Sequence, residues 1–564
     1  MAAPVESVSV KKQKKASLVL TLSSAGLFIG AGMASYWLLT QGYPMSRDLP
    51  AGANLIPQDA LFAVSLTTDS TQWQKLREFG TKQTQAELEK NVVQLRDRIL
   101  THYGYDFQKD ISPWVGDQVT LAMLAPKVSK SVSKPVATDG GVNNSDQSFE
   151  IVLPIKNPEK ARSLLAQPKA FKKGKWIDRT YKNIDIKEAQ QSGEKLSAAI
   201  LDERFVVITD RTKTIERAID AYREKISLAT TPGFAENMPK IATYQPFAQF
   251  YVNVPFSAKI AAASPLHQLP AQVLTLLQSN QGCSGTITLA SSGISLKGVS
   301  WLNPNSQRVL AIENKAGKMQ NRLPIETLVM LSGSNLRRFW ADYVLTFQGN
   351  PLSPIPPQEL RENVKSYINL DLDQDLLSWM SGEYAISVIP TSSKQGTPPE
   401  NFRVALMFMV HASDRVRAEA SLKKLDDVMK TQYQFQIEQG KLEGEPVVNW
   451  IAPLGTLTAT HGWLDGDVAF LSLGAPVTSK IIPKPSKTLA SNTLFQQSVP
   501  FELNPVNGQF FLDVDRADKN LLLPQMFPAQ ETLLEAIRSI GVTTAVSDSR
   551  STRYDIFLEL KKTS

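Results

Sequence analysis

The chain of 564 residues is poor in the side chains that carry most redox and metal chemistry, with one cysteine and four histidines. A single thiol, Cys283, excludes an intrachain disulfide, a CxxC redox pair and a zinc site built on cysteines. The histidines are scattered singly, so no short-range ligand pair such as HExxH exists, and no glycine-rich phosphate loop is present. We therefore expect neither an enzyme nor a cofactor, although carboxylates that meet only in the folded chain would escape this search.

One acidic run resembles a metal loop in part. Residues 369–375 place aspartates at alternate positions, as at the start of a calcium loop. The glycine and the final glutamate of such a loop are absent from its sixth and twelfth positions. We expect no metal here. Asp110 and Asp375 are instead predicted to cap short turns that present Trp114 and Trp379 to the core.

Residues 16–40 contain no charged side chain and are predicted to cross a membrane. A helix of this length spans about 37 Å, against about 30 Å for the hydrocarbon core of a bilayer. Four lysines lie in residues 1–15, so the positive-inside rule predicts a cytoplasmic basic segment there and the body on the other side. A cleaved signal peptide is the alternative, with Gly32 and Ala34 at its cleavage site.

Small residues follow one face of this predicted helix. Gly26, Gly30 and Ala34 are four residues apart, a spacing that lets a second membrane helix approach closely. The sequence thus offers a helix–helix contact through the anchor.

The net charge of +7 is partly a signal of orientation. Residues 1–15 contribute four lysines against one glutamate, which leaves the remaining chain close to charge balance. A body with this balance does not indicate a nucleic-acid partner.

Several blocks of sequence recur in the same order. NLIPQDALFAVS returns as NRLPIETLVMLS 267 residues later, GYDFQKDISPW as NLDLDQDLLSW after 265, and QFYVNV as QFFLDV after 260. Blocks that recur in the same order at nearly the same spacing indicate a duplicated structural unit. We predict two module copies, residues 50–302 and 318–564, with residues 303–317 as the linker between them.

The apolar periods within one module mix strands and helices. Ala60–Leu66 alternates as a strand, and residues 212–222 follow a helical period. Short strands with intervening helices predict an α+β fold. We expect an antiparallel sheet covered on one face by helices, used twice behind the transmembrane helix.

One region of the first copy combines cations with aromatic side chains. The corresponding region of the second copy is acidic, with Glu438, Glu443 and Glu445 around Lys441, so the fold itself does not require these cations. We predict a basic patch that binds an acidic protein or anionic lipid headgroups; ordinary solvated lysines are the alternative. The patch consists of Lys169, Lys172, Lys173, Lys175, Trp176, Arg179, Lys182 and Lys187.

These blocks also support a family resemblance. The anchor, LIPQDALFAVSL, DFQKDISPWVGDQV and LDERFVVITD together resemble a bacterial, mainly cyanobacterial family catalogued as domain of unknown function 3352. The resemblance covers essentially the whole chain. It implies a periplasmic or thylakoid-lumen location, and it brings no catalytic residues to transfer.

The leading functional hypothesis is a single-pass, membrane-anchored extracytoplasmic protein that serves as an interaction, scaffold or assembly factor for a membrane complex. It is based on the anchor, the repeat and the missing catalytic signatures. One alternative is a binding protein for a small or lipidic ligand, held in a cleft between the modules. Another is a hydrolase whose carboxylates assemble in space.

Overall fold

The computed structural model describes most of the predicted body. It covers residues 49–101, 104–124, 148–166, 175–191, 194–263, 279–347, 356–391, 403–453, 457–521 and 531–562. The basic segment 1–15 and the predicted transmembrane helix 16–40, with Gly26, Gly30 and Ala34, lie outside these ranges. Of the helices that are described, none is both long and apolar enough to cross a bilayer.

Twenty strands join one antiparallel sheet in the described residues. In the first half they are β1 (Ala60–Thr67), β2 (Gln118–Leu124), β3 (Ser148–Pro154), β4 (Lys175–Tyr181), β5 (Ile184–Gln191), β6 (Glu194–Leu201), β7 (Phe205–Thr209), β8 (Ala248–Asn253), β9 (Asn280–Leu289) and β10 (Gly293–Leu302). In the second half they are β11 (Val329–Gly333), β12 (Tyr384–Pro390), β13 (Val404–His411), β14 (Gln436–Leu442), β15 (Glu445–Ile451), β16 (Leu457–Leu464), β17 (Val468–Gly474), β18 (Gly508–Asp513), β19 (Ile537–Asp548) and β20 (Ser551–Leu560).

Helices connect these strands and pack against them. They are α1 (Ser70–Arg77), α2 (Lys82–Ile99), α3 (Pro158–Ala166), α4 (Thr212–Glu224), α5 (Phe234–Asn237), α6 (Val254–Ala263), α7 (Leu336–Phe347), α8 (Pro357–Ile368), α9 (Arg415–Thr431), α10 (Thr493–Ser498), α11 (Val514–Leu521) and α12 (Glu531–Ala536). The predicted α+β class and its antiparallel sheet are therefore confirmed.

Strand pairing follows the same order in both halves of the sheet. In the first half the order is β4-β5-β6-β7-β3-β2-β1-β8-β9-β10. In the second half it is β14-β15-β16-β17-β13-β12-β11-β18-β19-β20. The last strands of the two orders, β10 and β20, pair antiparallel from Gly293↔Glu559 to Trp301↔Ser551. The sheet is therefore continuous, with β4 and β14 at its two ends.

Helices cover both faces of the sheet, whereas the sequence predicted a cover on one face. In β1, Ala63 packs in the cluster that contains Ile215 of α4, and the next residue, Val64, packs with Trp73 of α1. Successive strand residues point to opposite faces. The one-sided expectation was wrong because β1 is buried on both faces, a pattern that polar–apolar alternation does not describe.

Tight turns close the outermost hairpins at both ends of the sheet. Lys182 and Asn183, between β4 and β5, have φ of 48° and 61°, and Glu443 and Gly444, between β14 and β15, have φ of 49° and 91°. Two successive residues with positive φ form a type I′ turn, whose twist matches that of the two strands. Each end of the sheet is thus a two-stranded hairpin with a two-residue loop.

Candidate functional site

The acidic turns are structural caps in both halves. Asp110 Oδ2 accepts the backbone N–H of Asp106 at 2.8 Å, and Asp375 Oδ2 accepts that of Asp371 at the same distance. Each bond closes a π-type turn, and Trp114 and Trp379 beyond these turns are buried. The N-caps of these turns are Asp106 and Asp371, whose Oδ1 atoms accept the N–H groups of Lys109 and Gln374. The sequence predicts Asp110 and Asp375 as the caps; they instead lie within the turns and accept the N–H groups of the capping residues.

Metal and relay chemistry have little support in the described ranges. No three His, Cys, Asp or Glu side chains there lie close enough together to hold a metal ion. His461 does pair with a carboxylate, because its Nε2 lies 2.8 Å from Asp426 Oδ1, which also accepts the indole N–H of Trp450 at 2.6 Å. This pair joins α9 to the sheet. The Nδ1 of His461 has no hydrogen-bond partner among the described residues.

The described part of the predicted basic patch lies on the end hairpin β4–β5. Lys169, Lys172 and Lys173 lie outside the described residues, as does the side chain of Lys175. Trp176 is half-buried on β4, and its indole nitrogen has no hydrogen-bond partner in the described part of the chain.

The three remaining cations of the patch make ion pairs within the protein. Arg179 donates to Glu188 of β5 at 3.0 Å and to Glu216 of α4 at 2.7 Å. Lys187 lies 2.7 Å from Asp178.

Lys182 Nζ, in the hairpin turn, lies 2.7 Å from both Asp220 and Glu224 of α4. Hydrogen bonds to these two carboxylates raise the pKa of Lys182 above its ordinary value. The carboxylates of helix α4 thus hold the hairpin in place and pair with two cations of the patch, Arg179 and Lys182. The sequence did not predict that this helix lies against the patch.

A buried carboxyl lies on β3, which is separated from the β4–β5 hairpin by β6 and β7. Glu150 of β3 is fully buried, and neither of its oxygens has a hydrogen-bond partner among the described residues. Its neighbours in the sheet are Ala122 and Thr209. Burial raises the pKa of Glu150 well above its ordinary value, and the charge of Arg217 opposes this shift. The fold therefore favours the protonated carboxyl.

The second half places an apolar residue where Glu150 stands. Met407 of β13 occupies the corresponding position, between Ser387 of β12 and Ser472 of β17. The architecture consequently does not need an acid there. In the described ranges, no group of three His, Cys, Asp or Glu side chains that could hold a metal ion includes Glu150.

A row of polar side chains crosses the middle of the sheet where the halves join. Each member lies directly opposite the next on the neighbouring strand, and the row reads almost the same from either end. In strand order it consists of Ser65, Gln249, Thr286, Lys297, Asp555, Thr543, Gln509 and Ser332.

Two ion pairs reinforce this junction, each with its lysine in the first half and its carboxylate in the second. Lys297 of the first half pairs with Glu502 of the second, and Lys240 of the first half lies 2.8 Å from Asp548 of the second. Burial acts against ionisation of Asp548, but hydrogen bonds, chiefly from Lys240, lower its pKa to about 2. These contacts fix the halves against each other as one body.

A small cavity lies under the β14–β15 turn. Its volume is about 140 Å³, and it is lined by Arg322, Glu443, Glu445, Trp463, Asp465 and apolar residues around Ile482. Pockets for drug-sized ligands enclose about 300–1,000 Å³. This cavity lies wholly within the second half, away from the junction where the ligand-binding alternative expected an apolar cleft.

Sequence reasoning missed Glu150 and the polar row. The row had a signal, because the repeated blocks beginning with QF carry a glutamine at the same place in β8 and β18. Glu150 had none, since a single acid in an apolar strand looks like a solvent-facing residue. The protein is thus a large α+β body in which one continuous sheet is held together at its centre by ion pairs and ends in a hairpin on each side.

The chain belongs to the family described as Protein of unknown function (DUF3352), whose family model matches residues 21–560. This confirms the resemblance seen in the sequence. The bacterial origin that the resemblance implies stays a prediction. No protein with a curated description matches the chain.

Among solved structures, the chain is similar to crystal forms of the protein TP0453. Crystal form III is 12% identical with a TM-score of 0.21, and the match covers 45% of this chain and 80% of TP0453. Crystal form I is 10% identical with a TM-score of 0.22, covering 45% and 79% of the two chains. These scores are too low to define a shared fold.

Proposed function

We propose that this protein is a single-pass, membrane-anchored extracytoplasmic scaffold or assembly protein associated with a membrane complex. The observation that carries the proposal is the continuous sheet, in which β10 and β20 pair over nine residues and join two large halves into one body. Such a body can hold partners at fixed positions, and its described residues show no catalytic centre that would explain its size.

The body consists, in this proposal, of two copies of one module, residues 50–302 and 318–564, joined by the linker 303–317. The identical order of strand pairing in the two halves supports it. So do the matching aspartate-capped π-type turns, Phe107–Ile111 and Leu372–Leu376. Two copies joined edge to edge would double the length of a binding surface without a new fold.

The anchor is the uncharged segment 16–40, with residues 1–15 in the cytoplasm and the body in the periplasm or the thylakoid lumen. It is retained as a signal-anchor in this proposal, and Gly26, Gly30 and Ala34 offer a contact to another membrane helix. The body would then be held close to the membrane surface, where a membrane complex is within reach.

The basic patch is the proposed contact with an acidic partner protein. Arg179, Lys182 and Lys187 already pair with carboxylates, so the first contact is assigned to the lysines around residues 169–175. Residues 169–191 carry seven cations against three carboxylates, and α4 carries three of each. The ion pairs with α4 therefore do not neutralise the region.

Affinity purification of the tagged full chain from native membranes in mild detergent tests this function. We expect a partner in stoichiometric amount, and we expect its recovery to fall when Lys169, Lys172 and Lys173 are replaced by glutamine. Replacing three exposed lysines outside the patch, Lys423, Lys430 and Lys519, by glutamine is the matched control and should leave recovery unchanged. A chain that elutes alone at native expression would contradict the proposal.

A further inference from the structure

Within the described part of the chain, each of the two terminal strands of the sheet has one unpaired edge. Of the described residues, only β5 pairs with β4 and only β15 pairs with β14. In β14, residues 438–441 are exposed on both faces. An unpaired strand edge presents a row of backbone donors and acceptors and is a template for pairing with another chain.

The hairpin loops determine which backbone groups point away from each hairpin. In a two-residue type I′ hairpin, the pair that flanks the loop exchanges hydrogen bonds, and hydrogen-bonded and non-hydrogen-bonded pairs alternate from there. The flanking pairs are Tyr181↔Ile184 and Leu442↔Glu445. Counting from them, the N–H groups of Trp176, Asp178 and Thr180 point outward from β4, and the same count applies to β14.

On β14 the outward groups belong to Ile437, Gln439 and Lys441. Each terminal strand is seven residues long and thus offers three outward N–H and three outward C=O groups at the same spacing. Neither strand has a proline at an outward position. The two edges are therefore complementary in length and in hydrogen-bonding pattern.

The net charges of the two hairpins have opposite signs. The β4–β5 hairpin, residues 175–191, carries four cations and three carboxylates, whereas residues 435–451, with the β14–β15 hairpin, carry three glutamates and one lysine. Complementary charge favours association, and like charges disfavour it. Two β14–β15 hairpins would bring together two segments of net negative charge, while a β4–β5 hairpin against a β14–β15 hairpin brings together net charges of opposite sign.

We propose that copies of this chain associate head to tail, with β4 of one copy adding to β14 of the next as a continuation of the sheet. The contact is heterologous, so a row of copies keeps one unpaired β4 and one unpaired β14 at its two ends unless the rotation between copies closes a ring. This proposal extends the scaffold role but needs no other partner, so either can fail without the other.

The test uses the full chain reconstituted at one copy per lipid nanodisc, which prevents contacts between anchors. Mass photometry then counts bodies per particle as the concentration rises from nanomolar to micromolar. We expect pairs and longer chains of discs. Single discs at every concentration would overturn the proposal.

Two proline variants identify the edges. Gln439→Pro and Thr180→Pro each remove one outward N–H without removing a backbone hydrogen bond of the hairpin, because proline is tolerated at such edge positions. Thr180→Pro also removes the side-chain hydrogen bond from Thr180 Oγ1 to Asp185 at 3.1 Å, and its control Thr180→Ala removes the same bond. We expect each to weaken self-association by at least about tenfold, since losing one hydrogen bond and the close approach of the strands costs about 1.4 kcal/mol or more. Gln439→Ala and Thr180→Ala keep the N–H and should associate like the original protein.

A mixing experiment separates the head-to-tail arrangement from symmetric pairing. The Gln439→Pro protein keeps an intact β4, and the Thr180→Pro protein keeps an intact β14, so their mixture should form pairs but no longer chains. If Thr180→Pro alone still forms pairs, β14 pairs with itself and the head-to-tail proposal is wrong. Unchanged melting temperatures show that the variants are folded.

Discussion

Replacing Glu150 by methionine should stabilise the protein at neutral pH. The carboxyl is fully buried and has no hydrogen-bond partner among the described residues, and the second half places Met407 at the corresponding position. Methionine is similar in length to glutamate and flexible enough to fill the same space. The substitution therefore removes an unpaired polar group without leaving a cavity.

The size of the effect follows from the burial of the carboxyl. A buried polar group without a partner costs about 1–3 kcal/mol of folding free energy. We expect a gain of this size, observed as a rise in melting temperature of about 1 °C for each kcal/mol, because the entropy of unfolding grows with size and the body has about 500 residues. Differential scanning fluorimetry of the two proteins side by side measures it.

The pH dependence has a definite sign. Burial raises the pKa of Glu150 above 4.5, its ordinary value. Below that pH the carboxyl is neutral in both the folded and the unfolded state. As the pH rises, the unfolded state ionises first, and the original protein loses up to about 1.4 kcal/mol of stability per pH unit until the folded pKa is reached. The methionine variant has no such loss, so its advantage should be larger at pH 7 than at pH 4.

Glu150→Gln is the matched control. It removes the titration of this side chain but leaves an unpaired buried amide. Its stability relative to Glu150→Met should therefore be the same at pH 4 and pH 7, and it should gain less stability than the methionine variant. An equal advantage of Glu150→Met at both pH values would refute the argument from ionisation. A loss of stability at pH 7 would show that the carboxyl has a stabilising partner.

Three further predictions concern packing and ion pairs. Asp426→Ala leaves two buried donors unpaired and should lower the free energy of unfolding by about 2–4 kcal/mol, whereas the exposed neighbour Asp427→Ala should change it by less than about 0.5 kcal/mol in urea titrations. Gly541→Ala drives a Cβ into a backbone carbonyl and should cost at least about 2 kcal/mol, whereas Gly440→Ala, with no atom nearer than 3.9 Å, should melt like the original protein. Asp548→Asn should lower the free energy of unfolding at pH 7 by less than about 1 kcal/mol and have a smaller effect near pH 2, where the carboxyl of the original protein takes up its proton; an equal effect at both pH values would contradict the lowered pKa.

Local patterns in the sequence predicted many elements correctly. The predicted strand Ala60–Leu66 is β1. The predicted helix 212–222 is α4, which continues to Glu224. These elements have their own periodicity and turn residues, which depend on neighbours along the chain. The two short acidic turns were predictable for the same reason, although their N-caps are Asp106 and Asp371 and not Asp110 and Asp375.

Contacts between distant segments were not predictable in this way. The strand SFEIVLP reads as if Glu150 faced solvent, because alternation assumes that one face is exposed, whereas β3 is covered on both. The pairing of Lys182 with α4 depends on how a helix some forty residues later lies across the hairpin. The role of the basic patch and the two-copy origin of the body stay predictions.

The junction of β10 with β20 also sets an order of events during synthesis. β10 ends at Leu302, and β20 begins only at Ser551. At about 5–20 residues per second, the ribosome needs on the order of tens of seconds to reach β20 after β10 is made. Throughout that interval the nascent first half carries an open strand edge in the middle of its future sheet, the place where mispairing is most damaging. Closure of the junction then marks the moment at which the second half has been made and folded.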